Sequence, residues 1–141
     1  MCRVYKILAI AIFFSFNGIL FSQISEIEYH KWQYGCNFRT DSKIYVINSK
    51  EEFDSIGDCF LKNYPFEKYS IIGYRGSTEG CIRPDIDFRI LKDENNKKYQ
   101  LILNIITNGA CRINWPYGDI LYTAKLDPAY AIEKIINGKV L

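Results

Sequence analysis

The chain has 141 residues, 18 basic and 16 acidic, for a formal net charge of +2. That length holds one domain with a genuine core but not two. A near-neutral balance without a Lys/Arg block excludes the basic footprint that nucleic-acid binding requires.

Residues 1–22 begin with MCRVYK, continue as ILAIAIFFSFNGILF and end at Ser22. A basic start (Arg3, Lys6), an apolar core and a small residue are the grammar of a secretory signal peptide. The apolar run falls short of the roughly 20 residues needed to span a bilayer, and Ser15, Asn17 and Gly18 weaken it further. Cleavage is expected after Ser22, leaving residues 23–141 as a single domain; an uncleaved anchor is the competing reading. Loss of Arg3 and Lys6 brings the charge near zero. The protein is expected to be secreted or periplasmic, with no membrane contact beyond this leader. Cys2 leaves with it.

Residues 23–41 are polar and aromatic without a clean period. Tyr29, Trp32, Tyr34 and Phe38 are expected to pack on the sheet or to form its first strand. Residues 43–48 (KIYVIN) are β-branched and predict a strand. Ser49 and Glu52 then form a capping box, and Phe53, Ile56 and Phe60 fall on one face of a helix that Asn63 and Pro65 end. Residues 69–75 predict a central strand with both faces buried, in which Gly73 permits close approach of another backbone. Residues 76–80 read as a loop.

From Asp85 the pattern alternates cleanly. Ile86, Phe88 and Ile90 share one face, and Asp85, Asp87 and Arg89 the other. Residues 93–96 make a turn and residues 98–107 return, giving a long hairpin. The two aspartates stand about 7 Å apart along the strand, a spacing open to acid/base chemistry. With Arg89 beside them, a solvated outer face is the preferred reading.

Residues 114–119 (NWPYGD) read as a loop offering Trp115 and Tyr117 as a possible stacking platform for a glycan or partner side chain; a Trp115 folded back onto the core is the competing reading. Residues 120–126 predict a strand. Asp127 as N-cap and Pro128 at the first helical position predict a C-terminal helix that Gly138 closes. A hairpin about Asn137 and Gly138 is the alternative.

The chain without its leader holds four cysteines, Cys36, Cys59, Cys81 and Cys111. An even count in an exported domain favours disulfides, with three possible connectivities. Cys81–Cys111 is the preferred pair because each follows a glycine-bearing turn flanking the hairpin, and Cys36 with Cys59 follows by exclusion. The spacings do not suit zinc, and no cofactor is expected. A reactive Cys81, activated by Arg75 or Arg83 with His30 as base, is the competing reading.

The strand-then-helix IYVINSKEEFDSI, the strand YSIIGY, the loop GSTEGC and the long hairpin, together residues 43–107, resemble the C-terminal domain of the protease-complex subunit PrcB and other small exported bacterial domains. That resemblance carries over no catalytic residue. The expected fold is α+β: an antiparallel sheet of about five strands, one or two packed helices and two disulfides. The expected role is a non-enzymatic binding or interaction module that contacts a protein or glycan of the cell envelope.

Overall fold

The computed structural model describes residues 23–33, 36–40, 42–58 and 64–141. The strands are β1 (Ile24–Glu26), β2 (Tyr29–Lys31), β3 (Asn37–Phe38), β4 (Ile44–Ile47), β5 (Gly57–Asp58), β6 (Tyr69–Gly80), β7 (Asp85–Asp93), β8 (Lys98–Ile106), β9 (Ile113–Ala124), β10 (Ala131–Ile136) and β11 (Lys139–Val140), with helix α1 (Lys50–Ile56) between β4 and β5. They build a five-stranded sheet in the order β1-β7-β8-β10-β11, a four-stranded sheet in the order β2-β9-β6-β4, and a small β3-β5 pair.

This corrects the α+β expectation. The architecture is mostly β, with two sheets where one was expected and a single helix among the described residues. One core lies between the sheets: Ile44, Ile72, Tyr74, Tyr117 and Leu121 of the four-stranded sheet pack with Phe88, Ile90, Tyr99, Leu101 and Leu103 of the other. The Tyr74 and Phe88 rings stack across the interface with centroids 5.1 Å apart. Each fully buried aliphatic side chain contributes about 1.5–3 kcal/mol, so this sandwich core dominates stability.

The N-terminal segment stitches the two sheets together. β1 pairs with β7 in one sheet, and β2 pairs with β9 in the other. The Tyr29 hydroxyl donates back across to the Phe88 carbonyl at 2.7 Å.

The long hairpin forms as expected, with β7 and β8 in register from Asp85 opposite Ile106 to Asp93 opposite Lys98. Phe88 and Ile90 are buried while Asp85 and Arg89 face solvent. The central position of residues 69–75 also holds, since β6 lies between β9 and β4.

Two stretches expected as loops are strand. Residues 76–80 continue β6, and residues 114–119 lie in β9, paired from Tyr69 opposite Ala124 to Gly80 opposite Ile113. Their glycines and proline suggested turns, yet the long ladder with β6 holds them extended.

The C-terminal helix does not form. Asp127 does accept a hydrogen bond from the Ala129 backbone N–H at 2.9 Å, as a helix N-cap does, but it caps only a turn through residues 128–130. The chain then runs as β10, parallel to β8 from Ala131 opposite Lys98 to Ile136 opposite Leu103. Asn137 (φ 47°) and Gly138 (φ 76°) turn it into β11. Local helix signals are worth a few tenths to one kcal/mol each; the open edge of β8 supplies a row of backbone partners and wins.

Helix α1 has the expected cap. The Glu52 backbone N–H donates to the Ser49 hydroxyl at 3.1 Å. The Glu52 carboxylate reaches back to the Asn48 N–H at 2.6 Å. The helix ends at Ile56, earlier than Asn63 and Pro65 suggested, and Phe60 lies outside the described residues. Phe53 buries against Phe38, Tyr45, Ile47 and Ile71, forming a second core on the outer face of the four-stranded sheet. Trp32, Ile56, Tyr64, Phe66 and Ile120 pack against it.

Candidate functional site

Cys81 and Cys111 are disulfide-bonded, with Cα atoms 4.6 Å apart. The bond closes the end of the β6–β9 ladder, where the Cys81 N–H also donates to the Asn108 carbonyl at 2.9 Å. Gly109 lies directly on it: a Cβ there would fall 2.4 Å from the Cys81 sulfur. Cys36 is also disulfide-bonded; the pairing expected for it falls on Cys59, outside the described residues.

The groups suggested as helpers of a Cys81 thiolate are not gathered around it. His30 packs on Tyr122 near the far end of β9, with centroids 5.2 Å apart. Tyr122 and Ile113 are separated by roughly 30 Å of extended strand. Arg75 lies roughly 15–20 Å along β6 from the disulfide by the same measure. Arg83 is exposed.

Trp115 and Tyr117 stand on β9, not in a loop. Tyr117 is only 8% exposed and belongs to the sandwich core. Its ring covers Gly76, where a Cβ would fall 2.3 Å from the phenol oxygen. Burial raises its pKa. The Trp115 indole N–H donates to the Gly80 carbonyl at 3.0 Å. A buried phenol and an engaged indole do not present one open face, so this geometry lends the stacking platform no support.

Asp85 and Asp87 lie on the outer side of β7. Asp87 pairs with Arg89 at 2.9 Å, and its carboxyl is held below the usual range first by that hydrogen bond and then by Asn104. A carboxylate held ionised by neighbouring donors is a poor proton donor near neutrality.

A cleft of about 350 Å³ opens on the outer face of the four-stranded sheet. Its lining among the described residues includes Trp32, Phe38, Tyr45, Arg75, Asp119 and Ile120, with Gly118 in the floor. Strand periodicity places Gly73 and Arg75 of β6 on this face, beside Gly118 and Ile120 of β9. Tyr45 sits opposite Gly73 in the β4–β6 ladder, and Gly118 opposite Arg75 in the β6–β9 ladder. Tyr45 fills the space above Gly73, and a Cβ at Gly118 would fall 2.9 Å from the Tyr74 carbonyl oxygen.

Arg75 is held at both ends. Its backbone N–H donates to the Lys43 carbonyl at 2.9 Å, and one guanidinium N–H donates to the Phe38 carbonyl at 2.9 Å. Among the described residues no carboxylate pairs with it, and the nearby Asp119 is taken by Lys31 at 2.7 Å. Burial pushes the Tyr45 phenol up to about 12, with the Arg75 charge partly opposing the shift. The cleft thus combines aromatic side chains, glycine in its floor, the Asp119 carboxylate and an exposed cation, Arg75. Arg75 drew notice in the sequence only as a neighbour of Cys81. The signal for this placement was an arginine within the apolar strand YSIIGYR, which strand periodicity puts on the face of Gly73.

At the disulfide end Ile82, Ile106 and Ile113 are each more than half exposed. No helix among the described residues is long and apolar enough to cross a membrane. Comparisons with protein-family models, curated proteins and solved structures find no match to this chain.

Proposed function

We propose that the protein is an exported binding module of the cell envelope that acts by recognition rather than by transforming a substrate. The observation that carries this reading is the Cys81–Cys111 disulfide closing the β6–β9 ladder. Such bonds persist outside the cytosol, and this one leaves Cys81 without a thiol to attack with. The leader-like residues 1–22 point the same way, and the cleft on the four-stranded sheet offers a concave surface.

The test is fractionation of cells making the full chain, followed by peptide mapping without reduction. The expected result is a protein outside the cytoplasm, beginning after Ser22, with a linked Cys81–Cys111 peptide. An intact leader on a cytoplasmic chain with reduced thiols overturns the reading. The thiol-dependent alternative needs Cys81 free, so rapid alkylation of Cys81 in the native protein would favour it.

A further inference from the structure

The Arg75 cleft has a chemistry specific enough to name its ligand class; this inference rests on the reading of the protein as a binding module. We propose that the cleft binds a monoanionic carboxylate carried on an apolar body, with Arg75 gripping the carboxylate and Trp32 and Ile120 packing the body.

A guanidinium carries five N–H donors in a rigid fork, and among the described residues one of them is engaged, with the Phe38 carbonyl. That bond orients the group, and Arg75 is otherwise exposed. The remaining donors suit two parallel bonds to a carboxylate, the geometry in which arginine binds most strongly. Gly118 is the second half of the arrangement. It stands opposite Arg75 in the ladder, where a Cβ would fall 2.9 Å from the Tyr74 carbonyl oxygen, so close backbone approach holds the position to glycine. The same glycine lines the cleft.

The walls decide between anions. A phosphate group is a strongly hydrated dianion that calls for several cations, whereas this lining carries one guanidinium with aromatic rings, Ile120, Asn37 and an Asp119 carboxylate that Lys31 pairs. A single negative charge with apolar surface attached matches both the charge and the walls. Free acids and the C-terminal carboxylate of a peptide ending in an apolar residue share this chemistry.

The experiment is calorimetric titration of the oxidised protein with N-acetylphenylalanine, its uncharged amide, a tripeptide ending in phenylalanine, and inorganic phosphate. Amide chemical shifts locate any binding. The expected result is saturable binding of the acid, at least on the order of tenfold tighter than the amide, with shifts at Trp32, Arg75, Gly118 and Ile120. Arg75→Gln brings acid and amide to parity. Arg75→Lys keeps part of the preference and serves if the glutamine variant does not fold. Binding of the tripeptide as well as the free acid identifies capture of a chain end; binding of the free acid alone identifies a small molecule. Equal binding of acid and amide, a preference for phosphate, shifts elsewhere, or no saturation by about 10 mM (weaker than about −2.7 kcal/mol) overturns the proposal. Such a failure in an exported, oxidised protein removes this ligand class alone, whereas failure of export removes the binding-module reading beneath it.

Discussion

The Tyr45 ring occupies the space that a side chain at Gly73 would need: a Cβ on Gly73 would fall 2.0 Å from the ring carbon Cζ and 2.1 Å from the phenol oxygen. The two residues face each other across the β4–β6 ladder. An aromatic ring laid over a strand glycine repairs the packing that the glycine forfeits, and here it also shapes the wall of the cleft. Gly73→Ala is expected to cost on the order of 1–3 kcal/mol by overpacking. Combined with Tyr45→Leu, the loss should be smaller than the sum of the two single losses. Urea denaturation of the four proteins measures that coupling; strict additivity would mean the ring and the glycine are independent.

The disulfide spans a sequence separation of 30 residues. Closing a loop of that size in the unfolded chain is worth roughly 3–4 kcal/mol. The Cys81→Ser/Cys111→Ser variant should lose about that much stability while keeping the far-UV spectrum of the sandwich, whose main core lies between the sheets. Gly109→Ala, with its Cβ against the Cys81 sulfur and φ at +80°, should destabilise the oxidised protein more than the disulfide-free variant. Equal effects in both backgrounds would remove the contact as the cause.

Alkaline stability follows from two buried phenols. Burial raises both Tyr45 and Tyr74 to about 12, against about 10 in an unfolded chain. A folded pKa above the unfolded one means the stabilisation is complete below pH about 10 and is lost as pH rises toward 12. Absorbance at the tyrosinate band should therefore show a late-titrating class that ionises together with loss of structure. Tyr45→Phe should lessen the alkaline decline. Full titration of every tyrosine near pH 10 in the folded protein would contradict the assignment.

At the C-terminal turn, Asn137 and Gly138 both have positive φ. The space around Gly138 is open, since nothing lies within 4 Å of a Cβ built there. Gly138→Ala should thus cost only the backbone term, about 1–2 kcal/mol. Proteolysis or hydrogen exchange should show the loss concentrated in β10 and β11. A stabilising effect would mean that the turn tolerates a side chain in the left-handed region.

The β7–β8 hairpin was legible because its sequence alternates with period two, and the strand buries Phe88 and Ile90 while exposing Asp85 and Arg89. The α1 cap was legible because Ser49 and Glu52 act within one turn. The Cys81–Cys111 pair was preferred from its flanking turns, and the ladder end brings those sulfurs together. These features depend on neighbours close in sequence or on a pattern repeated along it.

What only the tertiary structure decided depends on distant partners. Residues 76–80 and 114–119 each look like a turn alone, and they are strand because each completes the other's hydrogen bonds. The segment after Asp127 has a helix start, yet β8 offered a parallel edge and took it. The division into two sheets arises because β9 leaves the five-stranded sheet's neighbourhood between β8 and β10 and joins the other sheet. Arg75 and Gly118 become the floor of one cleft through a register that no local pattern encodes, since a ladder pairs residues according to the whole length of both strands.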